Sequence, residues 1–107
     1  MKTLIIPTDF SPLSKKALDF AVNLAAQIDA GIMPLHSYSV PYTSETFSTS
    51  LVDMLRKNAE HAMEAFVQDV PGHIPCQRKV TPFPLKEELK TLSKDIENTW
   101  IIMATHG

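Results

Sequence analysis

The chain has 107 residues, 44% hydrophobic and 21% charged, with a formal net charge of −2. That balance offers no basic footprint for nucleic acid, and no block of like charge suggests a tail or a polyanionic partner. The longest apolar runs are too short to cross a bilayer, the first residues read as a strand and no signal peptide is expected, and the lone Cys76 excludes a disulfide framework, a paired-cysteine zinc site or a CxxC redox pair. These features predict a cytoplasmic protein with a single domain over residues 1–107, long enough to bury a core without staples.

Two kinds of segment alternate along the sequence. "KTLIIP" (2–7) is a short apolar run, rich in β-branched residues and stopped by Pro7, and reads as a buried strand. From Ser11 to Gly31 the period changes. Ala17, Leu18, Ala21, Leu24, Ala25 and Ile28 recur at helical spacing, with Lys15, Lys16, Asp19, Asn23 and Gln27 on the other face. Ser11 before Pro12 predicts the helix start, and Gly31 its stop. "GIMPLHSYSV" (31–40) predicts a second strand, placed by Pro34 at a sheet edge or a bulge.

Residues 41–50 hold six Ser/Thr without a period and predict a loop. A second helix follows, with Leu51, Leu55, Ala59, Ala62, Phe66 and Val70 on one face and the polar His61 on the other. The Pro71-Gly72 turn leads to a third strand over Ile74 to Val80. "TPFP" then breaks the chain, and Pro84 starts a third helix with Leu85, Leu89, Leu92 and Ile96 at helical spacing. Thr99 to Ala104 is the fourth predicted strand. The order β-α-β-α-β-α-β implies an α/β fold, an open parallel sheet with right-handed crossovers and helices on its faces.

In such a sheet, ligands bind beyond the carboxyl ends of the strands, where strand order reverses. The four ends carry Pro7-Thr8-Asp9, His36-Ser37-Tyr38, Val80-Thr81-Pro82 and Thr105-His106-Gly107. Asp9 is the sharpest residue among them. Its carboxylate can accept from a ribose hydroxyl or a nucleobase amine, hold a metal, or cap the first helix. Thr8 either donates to a phosphate or serves the strand end. His106 is a phosphate donor, a proton carrier or a turn residue. With only Gly31, Gly72 and Gly107 in the chain, neither GxxxxGK[ST] nor GxGxxG can be built. No histidine pair has metal-ligand spacing, so no metal site is expected, and Cys76 reads as a small buried hydrophobe. No nucleophile–base pair marks a hydrolase. A phosphoacceptor receiver would need paired acids after the first strand, and a flavodoxin a glycine there.

The segment "LIIPTDFSPLSKKALDFAVNLAAQIDAGIMPLHSYSVP" resembles the amino-terminal half of a universal stress protein, through Pro-Thr-Asp-Phe-Ser and the helix carrying Ala17, Leu18, Ala21 and Ala25. "WIIMATHG" resembles that family's fourth strand and the turn that opens its nucleotide motif. The resemblance covers nearly all of the chain and least of residues 41–73. It implies a Rossmann-like, adenine nucleotide alpha-hydrolase-like fold whose fifth strand and last helix would lie beyond Gly107, the chain breaking off where the family's glycine motif begins. An isolated 1–107 chain is therefore expected to be marginally stable or self-associating.

The same resemblance implies a stress-response module that binds ATP or another adenine nucleotide and is at most a slow ATPase, with magnesium able to accompany the nucleotide. Carried over by position, Pro7, Thr8 and Asp9 would form the adenosine-contacting corner. Val80 would meet the adenine through its backbone, and Ser37 to Val40 would flank the base. Met103, His106 and Gly107 would begin the phosphate turn. Ala104 departs from the family's usual glycine, which disfavours close backbone approach there. Homodimer or tandem-domain pairing is the implied assembly, with neither nucleic acid nor membrane as a partner. The alternative is a dimeric scaffold of the same fold that binds no nucleotide.

Overall fold

The computed structural model describes residues 2–40, 49–95 and 97–103. Seven elements follow in order: β1 (Thr3–Pro7), α1 (Pro12–Ile28), β2 (Gly31–Ser37), α2 (Thr49–Phe66), β3 (Lys79–Thr81), α3 (Leu85–Leu92) and β4 (Thr99–Ile101). The strands form one parallel sheet in the order β3-β2-β1-β4. Side chains on β1 alternate between the two faces of the sheet, as the strand period requires. Leu4 and Ile6 join Ile32 and the apolar stripes of α1 and α2 in the larger cluster. Ile5, with Met33 and Leu35, packs instead against Leu85, Leu89 and Leu92 of α3. Helices therefore cover both faces, as expected.

α1 begins where its cap signal lies. Ser11 Oγ accepts the Ser14 N–H at 3.2 Å, and Pro12 occupies the first turn, where an N–H would have no helical partner. The apolar stripe Ala17, Leu18, Ala21 and Ala25 is buried, while Phe20 is 60% exposed. Lys15 ties α1 to the end of α2: its Nζ donates to the Phe66 carbonyl at 2.9 Å, 5.6 Å from the centre of the Phe66 ring. On α2 the buried face is Ala59, Met63 and Phe66, continued by Val67 just past the helix. Leu51, Leu55, Ala62 and Val70 of the expected stripe are only half-buried. Of the residues assigned to the third helix, Ile96 lies outside the described residues.

Three expectations need correction. α1 stops at Asp29 rather than through Gly31. Asp29 adopts the left-handed conformation (φ 57°), and its N–H and that of Ala30 both reach the Ala25 carbonyl. Aspartate is one of the few non-glycine residues that tolerates this region. Gly31 instead opens β2, its N–H donating to the Lys2 carbonyl.

Pro34 does not sit on an edge strand; β2 is interior. Ile32 hydrogen-bonds toward the β3 side, from its N–H to the Pro75 carbonyl and from its carbonyl to the Gln77 N–H. Ile32–Cys76 and His36–Val80 share one register, which puts Pro34 level with Arg78. The missing proline N–H is the one that would meet the Gln77 carbonyl. This explains the third correction: β3 is not continuous from Ile74 to Val80 but a bridge at Cys76 followed by a ladder over Lys79–Thr81. Ladder pairing in β4 likewise spans Thr99–Ile101, one further bond running from the Ile102 N–H to the Ile5 carbonyl.

A buried polar network anchors α3 to β3. Thr81 Oγ1 donates to Glu88 Oε1 at 2.7 Å, and Lys79 Nζ lies 3.3 Å from Glu88 Oε2. The Thr81 hydroxyl, followed by Lys79, holds the Glu88 carboxyl below its ordinary value against the opposing effect of burial. Among the described residues, no helix is long and apolar enough to cross a membrane.

Two measurements test these packing assignments. Leu18→Ala should lower unfolding free energy in urea by about 2–5 kcal/mol, whereas Phe20→Ala should change it by no more than about 0.5 kcal/mol. Because the Glu88 carboxyl is lowered on folding, its contribution is full above the unfolded glutamate value of about 4.3 and fades as pH falls through the lower folded value. The stability gap between the wild-type protein and Glu88→Gln should therefore be widest near neutral pH and close in acid. A gap that widens in acid would refute the assigned role.

Candidate functional site

Strand order fixes where the crevice lies. From β1 the chain moves one way to β2 and β3, then returns to place β4 on the other side of β1. The crossovers consequently diverge onto opposite faces at the carboxyl ends of β1 and β4, the position where open α/β sheets bind ligands.

Pro7 is the last β1 residue and pairs with Leu35. Thr8 is buried, its N–H extending the ladder to the Leu35 carbonyl at 2.8 Å. Its Oγ1 accepts the Phe10 N–H at 2.9 Å, so the Thr8 hydroxyl shapes the turn. Asp9 is exposed. Its Oδ1 accepts the Ser11 N–H at 3.0 Å and the Ser14 hydroxyl at 2.7 Å, while Oδ2 takes no hydrogen bond among the described residues. Hydrogen bonds from Ser11, then Ser14, hold this carboxyl well below the usual carboxylate range. The two oxygens thus differ: Oδ1 secures the loop, while Oδ2 is left without a hydrogen bond among the described residues on an exposed, ionised side chain.

Phe10 has a left-handed backbone (φ 65°), which costs a bulky residue about 1–2 kcal/mol. Its ring lies 4.3 Å from that of His36 and meets Phe66 edge-on at 5.6 Å. His36 Nδ1 lies 2.7 Å from the Thr8 carbonyl. A carbonyl only accepts, so Nδ1 carries the proton and clamps the exit from β1. Ser14 and Phe10 therefore shape the candidate site although sequence reasoning gave them no role there, and His36, named only as a strand-end residue, clamps the turn. The signals were the Ser11–Ser14 spacing and the position of His36 at a strand end.

Met103 is exposed two residues beyond Ile101, the partner of Ile5, and so lies level with Pro7 across the crevice. The structure thereby gathers Pro7, Thr8, Asp9 and Met103. Val80 stands apart from β1, on the outer strand β3. It pairs with His36, two strands from β1, and lines a groove of about 570 Å³ with Glu60, His61, Met63, Glu64, Arg78 and Lys79. Concavity alone favours that groove, but topology and the anchored carboxylate favour the β1–β4 crevice. His106 and Gly107, with Ala104 and Thr105, lie outside the described residues. Among the described residues, no group of three or more His, Cys, Asp or Glu could hold a metal ion. The Cys76 thiol is pushed up by burial and is not a ready nucleophile.

Comparison with known proteins agrees with this architecture. A universal stress protein family structure from Burkholderia pseudomallei superposes with a TM-score of 0.75 at 21% identity, covering 98% of this chain and 82% of that one. Universal stress protein UspA from Lactobacillus plantarum gives 0.76 at 19%, covering 99% and 80%. A universal stress protein in complex with cAMP gives 0.61 at 14%, covering 99% and 98%. None of the curated proteins compared matches the chain. At these identities the structural likenesses establish the fold, while the sequence model of the Universal stress protein family matches residues 1–107 from end to end. The chain belongs to the universal stress protein family.

Proposed function

We propose that the protein is a regulatory module that binds ATP or another adenine nucleotide at the carboxyl ends of β1 and β4, acting as at most a slow ATPase. The observation that carries this reading is Asp9, an exposed, ionised carboxylate at the switch point, anchored through Oδ1 while Oδ2 has no hydrogen bond among the described residues. Such an acceptor suits a ribose hydroxyl or an adenine amine, both of which donate. The cAMP complex of a relative with this fold supports the same ligand class. The residues fit the nucleoside half of the ligand. Its phosphate half would fall to 104–107, outside the described residues. A magnesium ion would arrive on the phosphates. In this reading the protein's own work is to hold the nucleoside: His36 and Phe10 fix the loop, Ser11 and Ser14 fix the carboxylate, and Asp9 orients the sugar or base.

A second reading, a scaffold that binds no nucleotide and pairs with a second copy, draws support from β4. There Trp100, Ile101 and Met103 are 41%, 42% and 56% exposed.

Calorimetric titration with ATP separates the two. Asp9→Ala should weaken binding by roughly tenfold or more, as expected for a lost hydrogen bond to a charged group. Ser14→Ala, which leaves Oδ2 in place, should weaken it less. No binding by the wild-type protein would favour the scaffold.

A further inference from the structure

We infer that Phe83 is a stacking platform for the base of the bound nucleotide, an inference that rests on the nucleotide-binding reading above. The ring is 61% exposed. A single exposed aromatic residue is ordinary; its mounting is not. The Phe83 N–H donates to Thr81 Oγ1 at 3.2 Å, and its carbonyl accepts the Ser37 hydroxyl at 2.6 Å. Side chains from the ends of two neighbouring strands thus take both backbone polar groups of one residue. Thr81 is fixed in turn, its hydroxyl on Glu88 and its carbonyl accepting the Tyr38 N–H at 2.9 Å. Pro82 and Pro84 flank Phe83, which limits its backbone further. The Pro84 carbonyl is engaged as well, accepting the Glu87 and Glu88 N–H groups at 3.1 Å. The backbone of this residue is thus held in place, while its ring joins neither apolar cluster.

The platform also stands in the right place. Ser37 pairs with Thr81, and extending the Pro7–Leu35 register brings Asp9 level with Ser37. Adjacent strands are about 5 Å apart, so roughly 10 Å separates Asp9 from the backbone of Thr81 along the carboxyl edge. That span suits a nucleoside lying across the end of β2, with its base on Phe83, its sugar at Asp9 and its phosphates toward β4. An aromatic face recognises the π-surface of a base without reading its edges, and it gains most from a purine. With its backbone fixed before binding, only the side-chain torsions of Phe83 remain to be ordered when the base arrives.

The test uses the whole chain. Phe83→Ala should melt as the wild-type protein does yet bind ATP roughly five- to a hundredfold more weakly, with a smaller loss for CTP. Phe83→Trp should restore affinity for ATP. Trp100 is the sole tryptophan in the chain, so Phe83→Trp combined with Trp100→Phe gives a fluorophore at the platform alone. Its emission should be quenched by ATP and left unchanged by inorganic tripolyphosphate. If wild-type protein and Phe83→Ala bind ATP equally while Asp9→Ala binds weakly, the platform is refuted and the nucleotide site survives. Equal quenching by tripolyphosphate would also refute it. If the wild-type protein binds no ATP, both readings fall.

Discussion

The geometry of the carboxyl edge depends on how the chain leaves β1. That strand has a neighbour on each side and helices over both faces, and its Leu4, Ile5 and Ile6 side chains are at most 1% exposed. It cannot shift to suit a loop. Within Thr8 to Ser11 the chain must turn from a fixed strand into a helix packed on one face. Phe10 accepts a left-handed backbone so that the turn can close, and its partly buried ring packs against His36 and Phe66, which works against the strain. The Thr8 hydroxyl, the Asp9 carboxylate and the His36 ring then satisfy the polar groups that a tight turn would leave unpaired. An acid fixed at the mouth of the crevice is a by-product of solving this backbone problem. That accounts for the same few residues shaping the turn and, in the function proposed above, meeting the ligand.

Much of this was readable in the residues, for identifiable reasons. Ser11-Pro12 marked the start of α1 because capping is local: hydroxyl, proline and first turn are contiguous in sequence. The alternation of short apolar runs with amphipathic stretches gave the parallel α/β class because each period is intrinsic to its element. Asp9 stood out as a carboxylate directly after a buried strand. What sequence did not disclose was its division of labour, since that depends on the angle at which Ser14 returns to Oδ1. His36 was named at its strand end without a role, because a histidine there says nothing of the carbonyl it will meet on the neighbouring strand. Val80 and Asp9 were placed at one ligand by family resemblance, which carries positions over without the spacing between strands. Order then put β2 between them.

The low identities to solved relatives sharpen the same point. A chain can keep the crossover pattern and the β1 exit while exchanging most of its side chains, because the fold asks only for period, caps and a buried central strand. Family membership thus carries more information about architecture than about ligand. Evidence for the ligand must come from particular atoms, here Asp9 Oδ2 and the rim formed by Ser37, Thr81 and Phe83.

Pro34 has a bearing on colloidal behaviour. Edge strands are templates for foreign strands, and their hazard grows with the length of unbroken, flat backbone they present. By withholding one donor from the interior side, Pro34 divides the outer strand into a bridge at Cys76 and a three-residue ladder at Lys79–Thr81. Neither piece offers an incoming chain a long register to copy, and Lys79 adds a charge on the same margin. A residue that looks like a flaw in an interior strand thus acts at a distance, protecting the neighbouring edge from growth into a larger sheet.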